Sequence, residues 1–218
     1  MRMARKWSQA CALGLLGHMA ACSDPVSPPA QGSASLSLSV ASGVPGAACP
    51  PGSHFVNVPD APRGGQQTTA SDKGTIAVDG QNQMSVSCSV KDNGNGIFDV
   101  SATLTSPATN PMTGDTLQPP TTVSITATIT PDTASPGVLT VRDNKTLTPY
   151  TSTNDTGSAG ANCLFNTHSP NSGDLLGVAA GRLWASVSCP RLRDTSSPNL
   201  NEVCSISSGY LVIENCAQ

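Results

Sequence analysis

The sequence predicts an all-β domain, an antiparallel β-sandwich of Ig-like or jelly-roll-like type with about eight to ten strands. Three observations carry that expectation. Apolar and polar residues alternate strictly in several separate runs, the period of a strand with one buried face. Clusters of Gly, Pro, Asn, Asp and Ser separate the runs, in a chain of 218 residues with 20 Gly and 18 Pro. Charged residues make up only 11% of the chain, too few for the Glu- and Lys-rich faces of long amphipathic helices. A sheet with one apolar face needs a second layer over it, and no helical periodicity is present to supply one, so a second sheet is expected.

The chain opens on a segment of a different kind. Arg2, Arg5 and Lys6 precede an apolar run from Ala10 to Gly17, and Met19-Ala20-Ala21-Cys22 follows. The run is much shorter than the roughly 20 apolar residues that cross a bilayer. The segment resembles a bacterial lipoprotein signal peptide, with Cys22 as the residue that carries the lipid and Met19 where Leu is usual. That resemblance implies cleavage before Cys22, a diacylglyceryl thioether on its sulfur and a further acyl chain on the new amino group. It also implies a location on the non-cytoplasmic side of a membrane, and Ser23 after the cysteine, in place of an acidic residue, points to the outer membrane. One acyl chain binds a membrane reversibly and two or three bind it durably, so the partner implied is the bilayer itself.

Residues 1–21 are thus expected as signal, 22–33 as a tether and 34–218 as one folded domain. The tether reads SDPVSPPAQGS from Ser23 to Ser33, a Pro- and Ser-rich spacer with a reach of roughly 35 Å. Alternation begins at Ser35-Leu36-Ser37-Leu38-Ser39-Val40. Met84, Val86, Cys88 and Val90 then face one way against Ser85, Ser87, Ser89 and Lys91. Phe98, Val100, Ala102 and Leu104 repeat the pattern, as do Val123, Ile125, Ala127 and Ile129, and later Leu183, Ala185, Val187 and Cys189. A last strand-like run spans 206–214. The outer positions are mostly Ser and Thr, as suits an antiparallel sheet packed on one side. Turns are expected at 59–65, 92–96, 107–114, 132–137, 154–160 and 169–173, with a short helical turn near 198–203.

Eight cysteines are present. Cys11 leaves with the signal and Cys22 takes lipid, so Cys49, Cys88, Cys163, Cys189, Cys204 and Cys216 remain. An even number in an oxidising compartment implies three disulfides, with fifteen connectivities open. Zinc-knuckle spacing is absent from the six, and no metal or other cofactor is expected. Chain separation favours Cys163 with Cys189 across an antiparallel pair. The other four stay open.

Cleavage removes three basic residues, leaving eight against fourteen acidic ones and a net charge of −6, which argues against a nucleic-acid partner. Candidate chemistry is sparse. Asp92-Asn93-Gly94-Asn95-Gly96-Ile97-Phe98-Asp99 carries oxygen ligands around a glycine, but an EF-hand alignment on Gly96 puts Lys91 and Ala102 at ligand positions, so a hairpin turn is the better reading. His54 and His168 are the mature histidines; neither belongs to a recognisable catalytic motif, and His54 reads as a solvated loop residue. Trp184 falls on the Ser face of its strand, which makes it a candidate ligand contact. The function expected is a lipid-anchored envelope protein with a non-enzymatic structural or interaction role. A carbohydrate-binding or adhesin module and an extracytoplasmic hydrolase with an unrecognised site are the alternatives, the first resting on exposure of Trp184 and the second on a histidine beside a carboxylate.

Overall fold

The structure is a computed structural model that describes residues 27–59, 76–109, 116–143, 146, 148–152, 163–168, 176–194, 196, 197, 199 and 201–218. The signal segment, Cys22 and the first part of the tether, up to residue 26, lie outside the described residues. Among those described, the fold is all-β without a helix: β1 (Gln31–Val40), β2 (His54–Val58), β3 (Ala77–Val78), β4 (Ser85–Asp92), β5 (Phe98–Thr109), β6 (Thr116–Ile129), β7 (Ala134–Arg142), β8 (Tyr150–Thr151), β9 (Cys163–Asn166), β10 (Gly177–Ala179), β11 (Arg182–Asp194) and β12 (Val203–Glu214). One continuous antiparallel surface runs β2-β1-β12-β11-β8-β7-β6-β5-β4, with β3 on β1 and β10 on β11.

This surface folds over itself into two layers, β2-β1-β12-β11 and β7-β6-β5-β4. The corner between them is made by β8 and β9, each of which pairs with both β7 and β11. The layers cross rather than align. Val86 N donates to Asp79 beside β3 at 2.9 Å, Cys88 is bonded to Cys216 just past β12, and Gly181 N, just before β11, donates to the Val90 carbonyl at 2.9 Å. Thus β4 passes across the ends of the first layer's strands as its residue number rises. At the opposite end β7 does the same, pairing with β9 at Gly137, with β8 at Val141, and meeting β2 through Asp143 and His54. Near-perpendicular crossing is one of the two stable ways to stack twisted sheets.

The alternating runs point inward as their period demands. Val86, Val90, Val100, Leu104, Val123, Ile125 and Ile129 of one layer meet Leu36, Leu38, Leu183, Ala185, Ile206, Leu211 and Ile213 of the other, all buried. Phe165 of β9 fills the corner with no exposed surface. The free edge of β4 is closed by the tail after β12, where Ala217 exchanges backbone hydrogen bonds with Val90 and Cys88 at 2.9 and 3.0 Å, which removes an edge open to aggregation.

All six cysteines after Cys22 pair: Cys49–Cys204, Cys88–Cys216 and Cys163–Cys189. The Cys163–Cys189 pair is the expected one, across the β9–β11 ladder in register with Leu164 opposite Ser188. In the chain-entropy picture a 26-residue loop contributes roughly 3.5 kcal/mol and loops of 128 and 155 residues roughly 5 kcal/mol each. The loops overlap, so their contributions do not simply add.

The strand number exceeds the expected eight to ten because β3, β8 and β10 have only two or three residues, too few to show a period. β1 starts at Gln31, ahead of the alternation, because Gln31, Gly32 and Ser33 pair with Glu214, Ile213 and Val212. The turn expected over 132–137 is confined to 131–133, and β7 begins at Ala134. Gly137 there is not a turn glycine: a Cβ on it would lie 2.5 Å from the Ala127 Cβ and 2.8 Å from the Phe165 ring. No helical turn forms among the described residues of 198–203. Asn201 is in a turn and β12 begins at Val203. Residues 107–109 continue β5 instead of turning, and the turns expected at 154–160 and 169–173 lie outside the described residues.

Candidate functional site

The end of the sandwich crossed by β7 holds the buried polar residues Asp143, Thr146 and Ser152 beside the His54 side chain. His54 opens β2 and is not the solvated loop residue the sequence suggests: its side chain is 5% exposed, and its Nε2 lies 2.8 Å from Asp143 Oδ2. Burial is compatible with this residue because a carboxylate comes with it. Asp143 follows β7 and is held by a local turn. Its Oδ1 accepts Thr146 N at 2.7 Å, and its own N–H donates to Thr146 Oγ1 at 2.6 Å. His54 Nδ1 lies 2.9 Å from the Gly52 carbonyl, which can only accept, so Nδ1 carries a proton.

That geometry decides what the pair can do. A general base that activates a nucleophile needs one ring nitrogen for the carboxylate and the other for the nucleophile's proton. Here the second nitrogen donates to a main-chain carbonyl. His54 and Asp143 therefore form a strut joining β2 of one layer to the end of β7 in the other. Asp60 and Arg63, which sequence places near His54 in a loop, lie outside the described residues.

Tyr150 and Asp194 sit on the same end, adjacent in the β8–β11 ladder. Burial of Tyr150, together with the charges of Asp194 and Glu202, pushes its phenol up to about 12. For Asp194, burial would raise the carboxyl, but hydrogen bonds from Ser196, Thr148 and the backbone of Ser196 and Ser197 outweigh it and hold the group below its ordinary value. The Thr148 hydroxyl reaches Asp194 Oδ2 at 2.6 Å and the Ser196 hydroxyl reaches Oδ1 at 2.6 Å.

The remaining candidates are placed elsewhere. His168 is exposed after β9, and its backbone N–H donates to Asn166 Oδ1 at 2.9 Å. Trp184 does sit on the Ser face of β11, but it is 8% exposed: Arg182 lies over its ring at 5.9 Å and its Nε1 donates to Glu214 Oε1 at 2.9 Å. It is covered by its neighbours and presents no stacking platform. Asp92 to Asp99 is the hairpin turn between β4 and β5. Gly94, Asn95 and Gly96 take positive φ there, and the polar side chains bond one another, with Asp92 Oδ1 accepting Gly94 N at 2.7 Å. Among the described residues no three His, Cys, Asp or Glu side chains come together as a metal site requires. Asp143 was not visible from sequence as the partner of His54, since 89 residues separate them and no motif links the two.

Comparison with protein-family models, with curated proteins and with solved structures gives no match to this chain.

Proposed function

We propose that this chain is a lipid-anchored, extracytoplasmic module of the cell envelope with a structural or interaction role and no catalytic one. The observation that carries the reading is the cysteine count. Cys49, Cys88, Cys163, Cys189, Cys204 and Cys216 pair among themselves, as an oxidising compartment favours, and none of them is left for Cys22. A cysteine outside those three pairs, placed after Met19-Ala20-Ala21 and before a Pro- and Ser-rich spacer, suits a lipid attachment point. The polar end of the sandwich supports the absence of catalysis, because the imidazole of His54 is committed at both nitrogens.

Anchoring at Cys22 also sets an orientation. The Pro29 carbonyl accepts Asn215 Nδ2 at 3.3 Å and the Ala30 carbonyl accepts Asp79 N at 2.9 Å, so the chain enters beside the C-terminal tail. From there β1 runs ten residues, about 33 Å, toward the His54–Asp143 end, which then faces away from the membrane. The outer membrane is the membrane proposed, on the strength of Ser23.

The test is the Cys22→Ala variant expressed in a double-membrane bacterium. The wild-type chain is expected in the outer-membrane fraction and the variant outside the cytoplasm in soluble, disulfide-bonded form. Wild-type protein that stays soluble, or a variant that stays in the membrane, would overturn the reading.

A further inference from the structure

The outer face of the second layer is covered by rows of hydroxyls that run across the strands. Two neighbouring rows behave differently. In the row through Thr103, Ser124, Thr140 and Thr151, side chains satisfy one another: Thr103 with Ser124 at 3.1 Å and Thr140 with Thr151 at 3.0 Å. In the next row Ser89, Ser101 and Thr126 stand in register across β4, β5 and β6, and their hydroxyls have no hydrogen-bond partner among the described residues. They line a groove of about 690 Å³ together with Lys91, Asp99, Thr128 and Pro136, a volume in the range of small-molecule sites.

The groove has two unlike ends. At one, Lys91 stands opposite Asp99 in register without forming an ion pair among the described residues. The Asp99 carboxylate is fixed by Asn93 Nδ2 at 2.5 Å and by the Thr128 hydroxyl at 3.0 Å, and these two bonds hold it below its ordinary value. It keeps acceptor capacity beside a donor of opposite charge. At the other end Pro136, Val138 and, across the β7–β9 ladder, Leu164 form an apolar step, with Val138 and Leu164 40% and 43% exposed. The row from β4 to β7 crosses three inter-strand spacings, about 14 Å.

We propose that this groove binds a neutral oligosaccharide strand lying across β4 to β7. One positive and one negative charge select a ligand without net charge. Unpartnered hydroxyls that both donate and accept match the hydroxyl edges of sugars, and the apolar step matches their C–H faces. The main-chain groups of these strands are occupied by the ladder, which disfavours a peptide added as a strand. The proposal rests on the reading of the protein as an interaction module and assigns that role a site and a ligand class.

Titration of the full lipidated protein in detergent micelles with the neutral strands chitohexaose, cellohexaose and maltohexaose tests it. Wild-type protein is expected to bind at least one of the three at micromolar to millimolar concentration. The Lys91→Met/Ser101→Ala/Thr126→Val variant, in which every change is at the surface, is expected to bind about tenfold more weakly or worse. A Thr103→Val/Ser124→Ala variant in the paired row is expected to bind as wild type does. No binding of any probe by wild type, equal loss in both variants, or capture of a protein ligand in place of glycan would overturn the proposal. Failure here with acyl chains intact leaves the anchored-module reading standing, whereas binding by protein without acyl chains would sink the anchor and keep the groove.

Discussion

Asp143→Ala removes the carboxylate that ties the end of β7 to β2. The carboxylate is buried and accepts from His54 Nε2 at 2.8 Å and from Thr146 N at 2.7 Å. Truncation strands a buried imidazole, and removing one member of a buried ion pair costs about 3–5 kcal/mol. His54→Met strands the carboxylate with the Thr146 bond still in place, a cost of the same order. The double variant His54→Met/Asp143→Ala removes both charges together. Its residual cost is the unsatisfied Thr146 N–H and the altered packing, about 1–3 kcal/mol. The coupling energy between the two sites is therefore expected at about 3 kcal/mol or more. Urea unfolding of the four oxidised proteins, followed by tryptophan fluorescence and far-UV circular dichroism, measures it through the midpoint at constant slope. Single-variant costs that add to within about 0.5 kcal/mol in the double variant would show the two residues uncoupled, and the strut would not exist.

Replacing Cys88 and Cys216 by Ala opens a 128-residue loop and is expected to cost up to about 5 kcal/mol, with faster hydrogen exchange at the amides of Val90 and Ala217. Unchanged exchange there would mean that the tail holds the β4 edge without the bond. Gly137→Ala places a methyl against Ala127, Phe165 and the Thr126 carbonyl and is expected to lower stability by about 1–3 kcal/mol in thermal unfolding. A neutral result would contradict the close approach of β6, β7 and β9. For Tyr150, burial pushes the folded pKa up to about 12 from the ordinary phenol value of 10.0, so its contribution is fully present below pH 10 and is lost as pH rises toward 12. The loss amounts to as much as 2–3 kcal/mol at about 1.4 kcal/mol per unit, and Tyr150→Phe should flatten the alkaline decline. An equally steep decline in that variant would place the titrating group elsewhere.

Much of this architecture is legible in the chain because period-two patterning reports directly on a half-buried strand. Val86, Val100, Ile125 and Leu183 fall on the core face as their alternation requires. β7 escapes that logic. Its Ser135-Pro136-Gly137 reads as a turn, yet Ser135 is buried and bonds the Thr130 amide at 2.9 Å, and Gly137 is there for close packing. β2 has five residues and β9 four, lengths at which alternation carries little information. The crossing of the layers is set by which strand ends meet, through contacts such as Asp79 to Val86 and Gly181 to Val90, and no local pattern encodes it. The candidate sites show the same divide. Hairpin chemistry in Asn93-Gly94-Asn95-Gly96 is local and reads correctly, whereas His54 with Asp143 is a long-range pair. Alternation puts Trp184 on the outer face where it stands, but its cover by Arg182 and Glu214 depends on side-chain placement that spacing does not reveal.

Mass spectrometry of the intact protein, purified from the membrane of the organism that makes it and compared before and after reduction, bears most directly on the proposal as a whole. The expected species is a chain beginning at Cys22, heavier than its sequence by a diacylglyceryl group and a further acyl chain, that gains six hydrogens when its three disulfides are reduced. A chain of bare polypeptide mass, or one with free thiols among Cys49, Cys88, Cys163, Cys189, Cys204 and Cys216, would contradict it.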